Sequence, residues 1–177
     1  MNTTAVVYKS MYGATKQYAE HISKQLHADI HNADNVLEKQ LKLYDTIIWG
    51  GGIYAGRING ISKLEKLLKS FADKKIIVFT VGSTPANATE RLKKVRDNSI
   101  AQSFQDGIIF FHFNCGVNFR ELSLVHRIML ATKRMFLLLK PKKSLAEASI
   151  KYLQNYGRNN QIIDESAIAP LIHTASQ

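Results

Sequence analysis

Apolar residues gather in short continuous runs, each released into a helical pattern. Thr3 to Tyr8 (TTAVVY) is apolar and β-branched, and Tyr18, Ala19, Ile22 and Leu26 then recur on one helix face. The order repeats. Thr46 to Trp49 precedes Ile61, Leu64, Leu67, Leu68 and Phe71, and Lys74 to Val81 precedes Leu92, Val95 and Phe104, with Pro85 near that helix start. DGIIFFHFNCG is a fourth strong run, and a weaker one near Ala28 to Ala33 leads into a short helix. Continuous rather than alternating apolarity suits parallel strands covered by helices on both faces. The pattern predicts an α/β fold with a doubly wound, five-stranded parallel sheet, in one domain over 1–177.

A segment after the last strand departs from that minimal unit. FRELSLVHRIMLATKRMFLLLKPKK forms an insert at about 117–143. Within it Ser123, His126, Arg127, Lys133 and Arg134 fall on one helical side, with Val125, Ile128, Met129, Met135, Phe136 and Leu139 on the other. Ser144 with Glu147 reads as a capping box for a helix from Leu145, with Gly157 as its stop, and IAPLIHTA reads as a short C-terminal helix.

Charge sharpens the picture of the insert. The chain carries 24 Lys and Arg against 14 Asp and Glu, and +6 of its +10 net charge lies between Arg120 and Lys143. Such a basic amphipathic helix packs its apolar face on its own domain, lies in a membrane interface, or meets a partner such as a second copy. Leu137 to Leu139 followed by Lys140, Lys142 and Lys143 suits an anionic lipid surface. No exposed aromatics interleave with the basic residues, so nucleic acid is not an expected partner. Cys115 alone excludes an intramolecular disulfide and suits a reducing compartment. With no charged-then-apolar leader and no long apolar run, the expectation is a cytoplasmic protein, peripheral on the inner membrane face if the helix binds lipid.

Candidate chemistry sits in three loops at strand ends, where open α/β sheets bind ligands. In the first, Ser10, Met11, Tyr12, Gly13, Ala14 and Thr15 combine hydroxyls, a glycine and the backbone N–H groups of a helix start, a natural anion site. With no lysine there, the loop suits a phosphate monoester held by neutral donors. The second loop, WGGGIYAGRI, is a near miss for a Walker A loop, lacking its Lys and Ser/Thr, and for a dinucleotide fingerprint, lacking an acidic ribose partner on the next strand. The third contributes Gly82, Ser83 and Thr84, with Thr84 also a plausible helix cap before Pro85. No paired carboxylates or Ser/His/Asp set offers acid, base or nucleophilic catalysis, and no metal site is expected. His112 and His126 read as structural or surface residues, and Trp49 as core.

The first loop reads V-V-Y-x-S-x-x-G-x-T-x-x-x-A-x-x-I from Val6 to Ile22, which resembles the flavodoxin phosphate-loop signature at every defined position. The resemblance implies FMN as cofactor, and a single phosphate loop favours FMN over FAD. It places Gly51, Gly52, Ile53, Tyr54, Ala55 and Gly56 against the isoalloxazine, with Tyr54 the candidate stacking ring and Gly82 to Thr84 on the other side. Familiar flavodoxin carriers are acidic and lack the basic insert. A flavodoxin-like core carrying one is similar to the menaquinone-dependent protoporphyrinogen oxidases and their flavodoxin-domain relatives. That likeness implies an oxidoreductase passing electrons from a porphyrinogen through FMN to a quinone, with Arg120, Arg127, Lys133 and Arg134 as substrate or membrane contacts. Two other readings stay open: an electron carrier serving a protein redox partner, and a non-catalytic docking module.

Overall fold

Parallel pairing of the apolar runs organises the chain. β1 (Thr4–Lys9), β2 (Asp29–Asn32), β3 (Thr46–Tyr54), a two-residue β4 (Arg57–Ile58), β5 (Lys75–Gly82) and β6 (Ile108–Asn114) form one sheet. Its order is β2-β1-β3-β5-β6, all parallel, and β4 folds back antiparallel on the end of β3. The expected five-stranded doubly wound sheet is therefore present, with β4 as an addition. The computed structural model describes residues 3–116, 118–158 and 163–177, without the side chains of Lys142 and Ala148.

Strand alternation sends side chains to two cores. Ala5, Val7, Ile47, Trp49, Ile76 and Val78 face one side, where α3 (Ile61–Leu68) supplies Ile61, Leu64 and Leu67. Val6, Ile48, Ile77 and Phe79 face the other, covered by Tyr18, Ala19 and Ile22 of α1 (Ala14–Leu26) and by Leu171 and Ala175 of α8 (Ala169–Ser176). Both core faces are almost wholly shielded, which explains why these runs do not alternate. Three short or late helices complete this unit: α2 (Glu38–Leu41), α4 (Thr89–Asp97) and α5 (Gln102–Gln105). The helix expected from Pro85 begins instead at Thr89, and the apolar pattern reaching Phe104 belongs to two helices.

The chain divides into two compact units, residues 1–115 with 163–177, and residues 116–162. The second is longer than the 117–143 segment marked by charge, because α7 (Glu147–Asn155) belongs with α6 (Leu124–Leu138). Ser144 does not cap α7: its hydroxyl donates to Pro141 O at 2.8 Å, and the helix opens after Ala146. Gly157, at φ +82°, follows the end of α7 as the stop signal required. Ser123 caps α6 by accepting from the His126 N–H. Tyr152 of α7 donates to Leu130 O at 2.7 Å.

Tyr18 marks the seam of this insertion within the first unit. Its buried hydroxyl donates to Asn114 O at 3.0 Å, one residue before the chain leaves, and accepts from Asp164 N–H at 2.9 Å, one residue after it returns. Its ring stacks on Phe113 at 4.9 Å, and burial raises its pKa.

Candidate functional site

Pairing of Lys9 with Gly51, and of Gly51 with Thr80, brings the loops after β1, β3 and β5 side by side. Gly13 holds φ +86° immediately before α1, a conformation that favours glycine. The first intrahelical bond runs from Gln17 N–H to Gly13 O at 3.0 Å, so the N–H groups of Ala14, Thr15 and Lys16 precede the helical ladder. The positive end of the helix dipole adds to them. Thr15 is buried under the loop, while Met11 is exposed.

Two side-chain donors in this region are buried without partners. Ser10 Oγ makes no hydrogen bond, and neither does Asn59 Nδ2. Asn59 follows β4 and so runs back along β3: its N–H donates to Gly52 O at 2.9 Å, and a Cβ on Gly51 would sit 2.6 Å from its carbonyl oxygen. A Cβ on the adjacent Gly60 would sit 2.7 Å from Lys9 Cβ, so Asn59 and Gly60 close over the end of β1 where Ser10 follows. Orphaned buried polar groups are costly. An anion accepting from both would remove that cost. Asn59 is the residue sequence reasoning missed; its signal lies in tertiary packing, not in any motif.

The second loop shows why it needs glycines. A Cβ at Gly50 would lie 2.1 Å from the Phe79 ring, and one at Gly52 would lie 2.7 Å from the Tyr54 ring. Tyr54 turns back over Gly52, meets the edge of Tyr12 at 5.9 Å and 71°, and bonds to the Met11 backbone. Burial, with Tyr12 beside it, pushes the Tyr54 hydroxyl up to about 12. It thus joins the first two loops. Ala55 (φ +48°) and Gly56 (φ +75°) form the two-residue turn between Tyr54 and Arg57, both left-handed as a tight hairpin requires. Trp49 is fully buried core.

In the third loop Gly82 lies against Ile53, to which an added Cβ would approach within 3.3 Å, so loops two and three also meet. Thr84 caps no helix. Its carbonyl accepts from Asn114 Nδ2 at 3.0 Å and from His112 Nε2 at 2.8 Å, while His112 Nδ1 faces Thr80 Oγ1 at 2.8 Å. Donation through Nε2 fixes the tautomer and leaves Nδ1 to accept from the threonine. Burial lowers the His112 pKa. Ser83 is exposed. Beside the loop, a cleft of about 480 Å³ has Leu92, Val95, Phe110 and Phe111 among its apolar lining and Glu90, Lys93 and Arg96 among its charged residues.

These features fit a flavin mononucleotide. Ser10, Asn59 and the α1 N–H groups would serve as neutral donors for one phosphate, and Tyr12 and Tyr54 would supply aromatic surface between two loops. The four basic candidates lie in the second unit. Arg127 Nη2 donates to Arg120 O at 2.9 Å, while Lys133 lies 4.4 Å above Tyr152 and Arg134 lies 4.8 Å above Tyr156. Among the described residues, no group of three or more His, Cys, Asp or Glu is placed to hold a metal, and no helix is long and apolar enough to cross a membrane.

Comparison with known proteins gives a family, a relative and solved structures of similar fold. Residues 5–136 match the model of a family described as the flavodoxin domain. An uncharacterized protein of Methanocaldococcus jannaschii is 33% identical over 103 residues, 56% of this chain and 67% of that protein. Among solved structures, the Trp repressor binding protein of Bacillus subtilis superposes with a TM-score of 0.47 at 15% identity, covering 64% of this chain and 85% of that one. A WrbA-like flavodoxin of Agrobacterium tumefaciens gives 0.45 at 21% identity, covering 63% and 83%. A flavoprotein of Lactobacillus acidophilus in complex with FMN gives 0.40 at 16%, covering 64% and 93%.

Proposed function

Since the chain belongs to the flavodoxin domain family, we propose that it is an FMN oxidoreductase that passes electrons from a reduced organic substrate of porphyrinogen type to a quinone or another acceptor. Family membership and donor set both support FMN as the cofactor, and the carrying observation is the pair of buried, unpartnered donors, Ser10 Oγ and Asn59 Nδ2. They and the α1 N–H groups bind the phosphate, Tyr54 and Tyr12 border the ring system, and the His112–Asn114 clamp on Thr84 holds the third loop in place. Bound FMN supplies the one- and two-electron chemistry at this site.

The anionic, apolar character of a porphyrinogen substrate agrees with two features. The cleft beside the third loop has aromatic lining with Lys93 and Arg96 among its charged residues, and the second unit carries most of the chain's net positive charge. Each two-electron dehydrogenation of the substrate releases two protons and reduces one quinone, with two protons taken up, to its quinol. Ser10, Asn59, Tyr12 and Tyr54 are neutral groups, and their role in this reading is to bind and orient.

The test is anaerobic mixing of the FMN-loaded protein with protoporphyrinogen, then with a soluble quinone. Flavin absorbance that bleaches with the first and recovers with the second supports the reading. Bound flavin that ignores porphyrinogen but exchanges electrons with a protein partner assigns the chain to electron carriage. A protein that takes up no FMN overturns the cofactor assignment itself.

A further inference from the structure

We infer that α6 is a docking element for an anionic lipid surface, on which the helix lies parallel to the membrane plane. None of its residues is buried. Leu124 is 73% exposed and Phe136 65%, and Leu139, just past its end, is 77% exposed; Val125, Ile128 and Leu138 are exposed as well. Exposure of so many large apolar groups on one helix is unusual for a surface that faces only water.

Their placement is ordered. At 3.6 residues per turn these six side chains fall within an arc of about 180°, interrupted by no charge. Arg127 and Arg134 border one edge of the arc and Lys133 the other, so positive charge flanks it on both sides. The opposite side carries Leu130 and Leu137, both half-buried, together with Lys133 and Arg134, under which lie Tyr152 of α7 and Tyr156 just past its end. Thus α7 accounts for the remaining side of the helix. The apolar arc has no partner in the second unit, where all of its members stand exposed.

Charge selects the occupant. From Arg120 to Lys143 the segment carries a net +6, and Lys140, Lys142 and Lys143 follow directly on the exposed Leu138 and Leu139. A second copy of the chain would bring the same positive charge against itself. A neutral apolar partner would leave that charge without a counterpart. An anionic bilayer satisfies both halves, accepting the apolar arc at the acyl boundary and the cations among its headgroups. This surface is also where a lipid-dissolved electron acceptor resides, yet the inference does not depend on the cofactor, whose presence the flavin spectrum reports separately.

The experiment is co-sedimentation of the full-length, FMN-loaded chain with vesicles of equimolar phosphatidylcholine and phosphatidylglycerol, and with phosphatidylcholine alone. Binding is expected to the first and not the second, and it should weaken as salt is raised. Phe136→Ser with Leu139→Ser should abolish it. Lys140→Glu with Lys143→Glu should weaken it roughly tenfold or more. None of the four positions is among the residues proposed to hold the flavin, so the flavin spectrum should stay unchanged in both variants, and unchanged far-ultraviolet circular dichroism shows that α6 still folds. Equal binding to neutral vesicles, or no binding to either, overturns the inference. So does a dimer in sedimentation that the Phe136→Ser, Leu139→Ser variant dissociates while wild-type protein ignores vesicles, which would assign the face to a second copy.

Discussion

Replacing Ser10 with alanine should move stability and affinity in opposite directions. The Ser10 hydroxyl is buried without a partner, so apo protein bears its desolvation without compensation. Removing it should stabilise the apo form by about 1 kcal/mol, the lower end of the cost of an unsatisfied buried group. In a chain of this size that is a rise of roughly 2–4 °C in Tm. In the proposed site the same change deletes a hydrogen bond to a charged phosphate, a contribution of about 1.5–3 kcal/mol, so FMN should bind roughly tenfold to a hundredfold more weakly. Thermal unfolding of apo protein gives the first quantity and quenching of FMN fluorescence gives the second. At saturating FMN the Tm difference should shrink or reverse, because ligand binding adds to wild-type stability in proportion to affinity. Lower apo stability in the variant, or an unchanged Kd, would refute the reasoning and return Ser10 to an ordinary loop role.

Other perturbations probe the framework around the site. Ala55→Gly should raise stability by about 1 kcal/mol, since Ala55 holds φ +48° where glycine has no steric penalty; denaturant titration at constant m-value checks it. Because burial holds the His112 pKa below its ordinary 6.5, the unfolded chain takes up that proton first as pH falls. Stability is therefore full above 6.5 and declines as pH drops from there through the lowered folded value. Unfolding free energies measured on either side of 6.5 should show a decline that is smaller in His112→Gln. Tyr18→Phe removes both bonds at the seam and should cost about 2 kcal/mol of stability with the flavin spectrum retained; a loss under about 0.5 kcal/mol would show that neither bond contributes.

Local chemistry made the parallel sheet legible. Val6, Ile48 and Ile77 declare themselves as buried strand residues because both faces of their strands are covered, and the Gly13 to Thr15 junction carries its own backbone requirement. Short-range patterns misled where tertiary contacts decide. Thr84 before Pro85 has the form of a cap, yet its carbonyl is claimed by His112 and Asn114 from a neighbouring strand. Ser144 and Glu147 have capping-box spacing, but the serine hydroxyl finds Pro141 first. β4 is too short for any periodicity. Asn59 is invisible for a related reason: only once Gly51 and Gly60 admit its backbone does its amide become a buried donor. The amphipathic pattern of α6 is plain from the chain, whereas the exposure of its apolar side depends on which residues of the second unit fold against it.

The Tyr18 seam has a consequence for engineering. One phenolic oxygen contacts the backbone on both sides of the insertion, so the chain departs and returns within two hydrogen-bond lengths. Segments whose ends lie that close can be cut out and their stumps joined by a short glycine-rich bridge without stretching the host. Residues 116–162 should therefore behave as a cassette, exchangeable between hosts of this fold, with the phenol serving as the clasp that holds the socket shut.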